Sequence, residues 1–446
     1  MESTSSSSGH ASGSFREIVH TSWPIVVGML STTAMGVSDT LLVGWVGKTE
    51  LAAVGLGTTA SFLINALFLG ALNGIKIVTA QSIGAGRREV AAQVAWHGVA
   101  LGLIFGLFVL SLGALGRPIF ALMGGSPQIQ ALATEYFEVH VLSAPFWFVT
   151  IALCNHYQGS GDTRTPMKVN LLANGLNIAF DLALIFGVGP IPAMGVRGAA
   201  LATVLASAAG MVVIGVHFVR RADRAGARAD RQLVGRLLNV GLPIGVRYVM
   251  GVGSFAVFTA MMARMGEDEL AANQIAIKII SLSFLPGYGI SEAASVLTGQ
   301  YIGAGQVEHA RRAFRSALKL SVSVMGVAGL VFWLAPDALI GLFQDDGRVM
   351  EIGRQLLFLA AIFQIFDAVA MTATGALNGT GDTRFTMIAS VAGAWLIMVP
   401  AAWVFGVFME LGAVGAWLGL TLEIVVLSAV LLHRFHSGAW EGKATA

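Results

Sequence analysis

The chain has 446 residues, 55 % of them hydrophobic and 12 % charged, which is about half the charged share of a soluble domain. Its formal net charge of +2 is nearly neutral. These values exclude a soluble globule and leave no basic surface for nucleic acid, while the lone cysteine, Cys154, excludes an intrachain disulfide and speaks against a thiolate metal site.

The first residues, MESTSSSSGHASGS, are Ser/Gly-rich and lack the basic region that opens a signal peptide, which predicts a disordered tail over 1–14. A bilayer core needs roughly 20 apolar residues per helix. Such stretches lie near 21–46, 52–80, 93–115, 130–157, 166–188 and 195–219, and again near 237–263, 271–301, 309–334, 351–377, 384–408 and 412–433. The stretch RRADRAGARADRQLVGR separates the two groups. The expected organisation is a first lobe over 15–219, a basic linker over 220–236, a second lobe over 237–433 and a tail over 434–446. Twelve spans use about 240 residues and leave short loops. The segments are too long for an outer-membrane barrel and lack its period-two alternation. The 55 glycines suit close packing of membrane helices. The fold class expected is therefore all-α and polytopic, with twelve transmembrane helices in two pseudo-symmetric six-helix lobes.

The two groups repeat each other. QGSGDTRTPM at Gln158–Met167 returns as NGTGDTRFTM at Asn378–Met387, an offset of 220. TAQSIGAGRREVA at Thr79–Ala91 returns as TGQYIGAGQVEHA at Thr298–Ala310, an offset of 219. Pro24, Gly47 and Glu50 meet Pro243, Gly266 and Glu269 at 219, and Gly195, Gly198 and Leu201 meet Gly412, Gly415 and Leu418 at 217. In a membrane chain such duplication marks a secondary transporter, with its site where the repeats meet. An even number of spans per half makes both halves run the same way through the membrane. Lys and Arg set orientation. They crowd the loops bearing Arg87, Arg88, Arg164, Lys168 and the linker, and place both termini in the cytoplasm of a bacterial inner-membrane protein.

Several short motifs are turns rather than chemistry. GKT at Gly47–Thr49 resembles the end of a P-loop, but the required upstream Gly is Leu42. GAG at Gly84–Gly86 and Gly303–Gly305 has no strand or βαβ context, so it reads as a helix-ending turn. GDTR at Gly161–Arg164 and Gly381–Arg384 supplies a glycine stop, a capping residue and a topology-setting Arg.

Ionisable groups inside spans are more informative, because a central Asp, Lys or Arg is unfavourable by about 2.5–3.5 kcal/mol on insertion scales. Asp39 sits deep in the first span, and its repeat counterpart is Phe258, so the scaffold itself does not demand an acid there. The fifth span carries Asn174, Asn177 and Asp181; Asn177 and Asp181 are four apart on one helix face. Amides and an acid aimed at Asp39 would form an oxygen-rich pocket for a proton, or for Na⁺ held by Asp39, Asn177 and Asp181. The plainer reading is that they knit helices together. Asp367 in the tenth span also breaks symmetry, its counterpart being Trp147, and Gln364 lies three residues before it on a similar face. Arg247 or Lys278 could pair with Asp367 or Glu292. Lys76 lies nearer a span end, where snorkelling is expected. Pro24 and Gly28 precede Asp39 and would let the first helix flex. The isolated histidines His97, His140, His156 and His217 read as packing groups.

PIVVGMLSTTAMGVSDTLLVGWVG, QGSGDTRTPM, the NGLNIAFD stretch and FQIFDAVAMTATGALNGTGDTR together resemble the multidrug and toxic compound extrusion (MATE) family over nearly the whole chain. The resemblance implies a multidrug efflux antiporter that exchanges H⁺ or Na⁺ for amphiphilic, often cationic compounds by alternating access. It maps coupling roles onto Asp39, Asn177, Asp181 and Asp367, and a sixth-helix Thr onto Thr203. Asn174, Gln364 and Arg247 are expected at the substrate cleft. The sequence departs from Na⁺-coupled members where a seventh-helix Glu would fall: the position is near Gly251 and the neighbouring charge is Arg247. That departure favours H⁺. No cofactor beyond the coupling ion is expected, nor a nucleic-acid partner, and the protein is expected to act as a monomer in the bilayer. A lipid-linked saccharide flippase is the alternative on the same scaffold, supported by Arg247 and Lys278. A channel or an intramembrane enzyme is the alternative of a different class, and no clustered acid/base or metal motif favours the enzyme.

Overall fold

A computed structural model describes residues 13–221 and 230–442. The twelve long apolar helices found there are α1 (Phe15–Val46), α2 (Lys48–Gly84), α3 (Arg88–Met123), α4 (Pro127–Gly159), α5 (Arg164–Phe186), α6 (Gly195–Arg220), α7 (Arg231–Met265), α8 (Glu267–Gly303), α9 (Val307–Leu334), α10 (Gly347–Gly379), α11 (Thr383–Phe408) and α12 (Gly412–His436). No strand lies among the described residues. Each apolar stretch found in the sequence became one of these helices. Many continue for a turn or more beyond it, because a helix satisfies its own backbone where bilayer meets water.

The repeated motifs close helices in the same way in both halves. The Arg87 N–H reaches Ser82 O and the Gln306 N–H reaches Tyr301 O, with Gly86 at φ +74° and Gly305 at φ +71°. The Asp162 N–H reaches Tyr157 O and the Asp382 N–H reaches Leu377 O, with Gly161 at φ +93° and Gly381 at φ +92°. These left-handed positions favour glycine, and the bonds satisfy carbonyls that a helix end leaves open. The aspartates then diverge. Asp162 caps α5, accepting from the Thr165 N–H at 3.0 Å. Asp382 instead takes the Arg434 Nε at 2.9 Å, and that guanidinium also lies over Phe385.

Two compact units result: residues 27–249, and residues 1–26 with 250–446. They do not coincide with the sequence halves 15–219 and 237–433. In the unit 27–249, the start of α7 crosses α2 so closely that a Cβ on Gly70 would strike Gly245 and one on Gly241 would strike the Ala71 carbonyl. In the other unit, the start of α1 crosses α8 at Val26 and Gly289. Val26/Gly289 is the Gly245/Gly70 pair displaced by the 219-residue offset. Each unit therefore has its own apolar core, built around Leu72, Phe148 and Leu237 in one and around Phe258, Leu356 and Trp417 in the other.

The polar segments differ from expectation. Much of the predicted tail (1–12), the middle of the linker (222–229, with Arg224 and Arg228) and residues 443–446 lie outside the described residues. Gly13, predicted to be tail, is held in place: its N–H reaches Tyr301 Oη at 2.8 Å and its carbonyl accepts from Ser316 Oγ at 2.8 Å. The linker is shorter than 220–236, since α6 runs to Arg220 and α7 begins at Arg231. The predicted tail from 434 folds back: Trp440 is buried, stacks on Phe435 at 5.1 Å and donates Nε1–H to the Phe435 carbonyl. A large aromatic so near a helix end gains more by covering that end than by trailing in water.

Candidate ion-coupling site

Within the unit 27–249, α1 and α5 bring two acids together. Asp181 and Asn177 are one turn apart on α5 and both are 0 % exposed. Asp39 of α1 lies beside Asp181. Asp39 Oδ1 and both Asp181 oxygens are buried without a donor among the described residues. Ionised carboxylates only accept, so this contact is complete only with a proton or cation in it. Tyr136 of α4 is buried against Leu42 and Val43 of α1 and Ile185 of α5, between the helices that bear both acids. Its ring stacks on His140 with centroids 5.1 Å apart and packs against Gly57 of α2, where no side chain would fit.

Beside the pair is a cavity of about 380 Å³, lined from all of α1 to α6. Met35 and Trp147 give it apolar walls, and Asn170, Asn174, Asn177 and Thr203 give it polar ones. Ser61 Oγ, Asn65 Oδ1, His140 Nδ1 and both amide atoms of Asn177 belong to lining residues and are buried with no hydrogen-bond partner among the described residues. Buried polar atoms are normally bonded, so the wall of this cavity holds unused hydrogen-bonding capacity. Asn174 does knit helices: its Nδ2 donates to Ser31 Oγ at 2.9 Å and to Thr32 Oγ1 at 3.3 Å. Thr203 Oγ1 donates to the Ala199 carbonyl at 3.2 Å and keeps its lone pairs available.

The structure thus brings Asp39, Asn174, Asn177, Asp181 and Thr203 into one region of one unit. Asp367 and Gln364 lie on α10 in the other unit, where Gln364 Nε2 donates to Ser283 Oγ of α8. Lys278 and Asp367 form no ion pair among the described residues, contrary to one expected pairing. Arg247 belongs to the unit 27–249, and its guanidinium sits 5.6 Å from the Tyr248 ring. Lys76 does not snorkel. It is 3 % exposed, and its ammonium donates to Asn73 Oδ1 at 2.7 Å, because α2 is packed on several sides at that level.

Two residues escaped the sequence reading. Tyr136 gave no signal, since one tyrosine in an apolar span has no pattern. Glu423 did give one: it is a lone acid in the twelfth span whose counterpart at offset 217 is Ala206. It is 7 % exposed and its carboxylate lies against Gly393 of α11.

Duplicated six-helix halves, with unpaired carboxylates beside a polar cavity at membrane depth, have the build of a secondary transporter. Comparison with known proteins agrees. The MatE family model matches residues 24–183 and 243–404, one block in each half. The chain belongs to the multidrug and toxic compound extrusion (MATE) family. A Thermotoga maritima protein named "Probable multidrug resistance protein NorM" is 32 % identical over 435 residues, covering 96 % of this chain and 94 % of that one. The "Multidrug resistance protein NorM" of Burkholderia vietnamiensis is 30 % identical, covering 93 % and 92 %. A solved structure described as an outward-facing multidrug resistance MATE family transporter of the MOP superfamily superposes with a TM-score of 0.89 at 26 % identity, covering 96 % of each chain.

Proposed function

We propose that this protein is a multidrug efflux antiporter that exports amphiphilic, often cationic compounds in exchange for H⁺, with Na⁺ as the second candidate ion. The observation that carries this reading is the Asp39–Asp181 contact beside the polar cavity. Two neighbouring negative charges repel each other strongly in a low-dielectric interior. A proton bridging the carboxylates removes that repulsion. A cationic substrate near them does so as well, so ion and substrate compete for one conformational equilibrium. Asn177 supplies a carbonyl oxygen that would help to hold Na⁺, and Thr203 a hydroxyl on the substrate side. Pro24 removes one backbone bond from the helix that bears Asp39, which lowers the resistance of α1 to flexing. The absence of an acid near Gly251 is the reason to favour H⁺. Membrane potential adds about 2.3 kcal/mol per charge per 100 mV.

The test is transport of a fluorescent cationic dye in proteoliposomes under separately imposed pH and Na⁺ gradients. Wild type should export on the pH gradient. Asp39→Asn and Asp181→Asn should insert normally and lose ion-driven export by at least tenfold. Undiminished export by either variant refutes the coupling role of the pair.

A further inference from the structure

A second cavity, of about 560 Å³, opens in the other unit among the ends of α7, α8, α11 and α12, on the side opposite the chain termini. Arg264 and Glu410 both line it. Neither has an ion-pair or hydrogen-bond partner among the described residues, so both charges are available to a ligand. Trp403 forms an aromatic wall, half exposed and stacked on Phe408 at 6.2 Å, while Met261 and Met265 supply soft apolar surface. Glu269 is engaged elsewhere, accepting the Ala413 N–H at 2.8 Å at the start of α12. Glu410 has φ +58°, the left-handed region a non-glycine residue rarely adopts. Such strain persists only where the surroundings impose it, and it clusters at ligand sites.

The first half differs here. The counterpart of Arg264 at offset 219 is Trp45, whose ring contacts Phe186 at 6.3 Å. The loop 187–194 that corresponds to the Glu410 turn has no charge. The second lobe thus places Arg264 and Glu410 where the first has a tryptophan and an uncharged loop, whereas Glu269, also on the wall, has its counterpart in Glu50.

We propose that this cavity binds a zwitterionic phosphoethanolamine group. Arg264 takes the phosphate through its planar fork, and Glu410 takes the ammonium against the face of Trp403. The methionines lie against the first carbons of the attached chain. The place suits a lipid headgroup, because tryptophan favours the membrane–water boundary. A soluble glycerophosphoethanolamine carries the same two charges. The site does not depend on the Asp39–Asp181 pair, and its test does not measure transport.

Native mass spectrometry of the purified full-length protein would count retained molecules of phosphatidylethanolamine, phosphatidylglycerol and glycerophosphoethanolamine. Wild type should retain phosphatidylethanolamine over phosphatidylglycerol. Arg264→Gln should weaken both lipids about tenfold. Glu410→Gln should weaken only phosphatidylethanolamine and so erase the preference; a merely structural role for Glu410 would affect both alike. Glu410→Gly, which relieves the left-handed strain while removing the charge, gives the same reading should Glu410→Gln fold poorly. Displacement of the lipid by glycerophosphoethanolamine at matched concentration assigns the site to the soluble solute, and failure to displace it assigns the site to the lipid. Equal retention of phosphatidylethanolamine by wild type, Arg264→Gln and Glu410→Gly overturns the proposal.

Discussion

Asp39 and Asp181 depend on neighbours that hold them without neutralising them. Tyr136 is the neighbour that no sequence pattern pointed to: its ring is wedged between His140 and Gly57. Tyr136 is buried in the cluster that joins Leu42 and Val43 of α1 to Ile185 of α5, so its ring braces the two helices that bear the acids. Tyr136→Ala should lower the melting temperature by the equivalent of about 3–5 kcal/mol and cut dye export, whereas Tyr136→Phe, which keeps the ring, should change neither; loss of export by Tyr136→Phe would show that the hydroxyl acts on the acids. The acids themselves were legible, because an ionisable group that breaks the repeat stands out against its counterpart. Asp39 against Phe258 and Asp367 against Trp147 show this, and Glu423 against Ala206 meets the same criterion. What could not be read was pairing. Lys278 and Asp367 form no ion pair among the described residues, and Lys76 found Asn73 rather than the interface. Such choices depend on side-chain geometry several helices apart in sequence.

Among the elements, α11 departs most from its expected form. Its sequence reads as an ordinary span near 384–408, yet Gly393–Met398 and Trp403–Phe408 widen to π-helical turns on either side of Val399–Ala402, which contains Pro400. Proline removes a backbone donor and crowds the preceding turn, and a wider turn relieves both. Gly393 has a second reason to be small: a Cβ there would lie 2.8 Å from Glu423 Oε1. Gly393→Val should lower the melting temperature in detergent by the equivalent of about 1–3 kcal/mol, the usual cost of overpacking. Adding Glu423→Ala should recover much of that loss. Purely additive destabilisation would show that Gly393 and Glu423 do not press on each other. Pro400 marks the place of the distortion in the sequence, but the close approach of Gly393 to Glu423 of α12 is visible only in the folded chain. Asp181 corresponds at offset 220 to Ala401, inside this distorted stretch. The same repeat position thus carries a carboxylate in one half and an irregular backbone in the other.

At the scale of the whole molecule, hydropathy located all twelve spans and the repeat placed the linker between two halves. The compact units are nevertheless not the halves. The start of α7 completes the unit 27–249, and the start of α1 completes the other. That exchange rests on close helix crossings such as Gly241 on Ala71, which only three-dimensional contact reveals. It predicts that a chain cut between 222 and 229 will give a stable protein when both fragments are co-expressed. Either fragment alone should be degraded or aggregate, for want of the segment that completes its core. Recovery of one fragment as a monodisperse, folded species would contradict this. Gly241→Val should likewise lower the yield of folded protein, because a branched side chain at that crossing forces α2 and α7 apart.

The matched crossings of Gly70 with Gly245 and Gly289 with Val26 also bear on ancestry. A half-length forerunner built this way would have lacked part of its own interior and supplied it by trading leading arms with a twin. Fusion of two copies then made the trade internal, and each copy became free to diverge. Only after that step could one keep an acid at position 39 while the other settled on phenylalanine at 258.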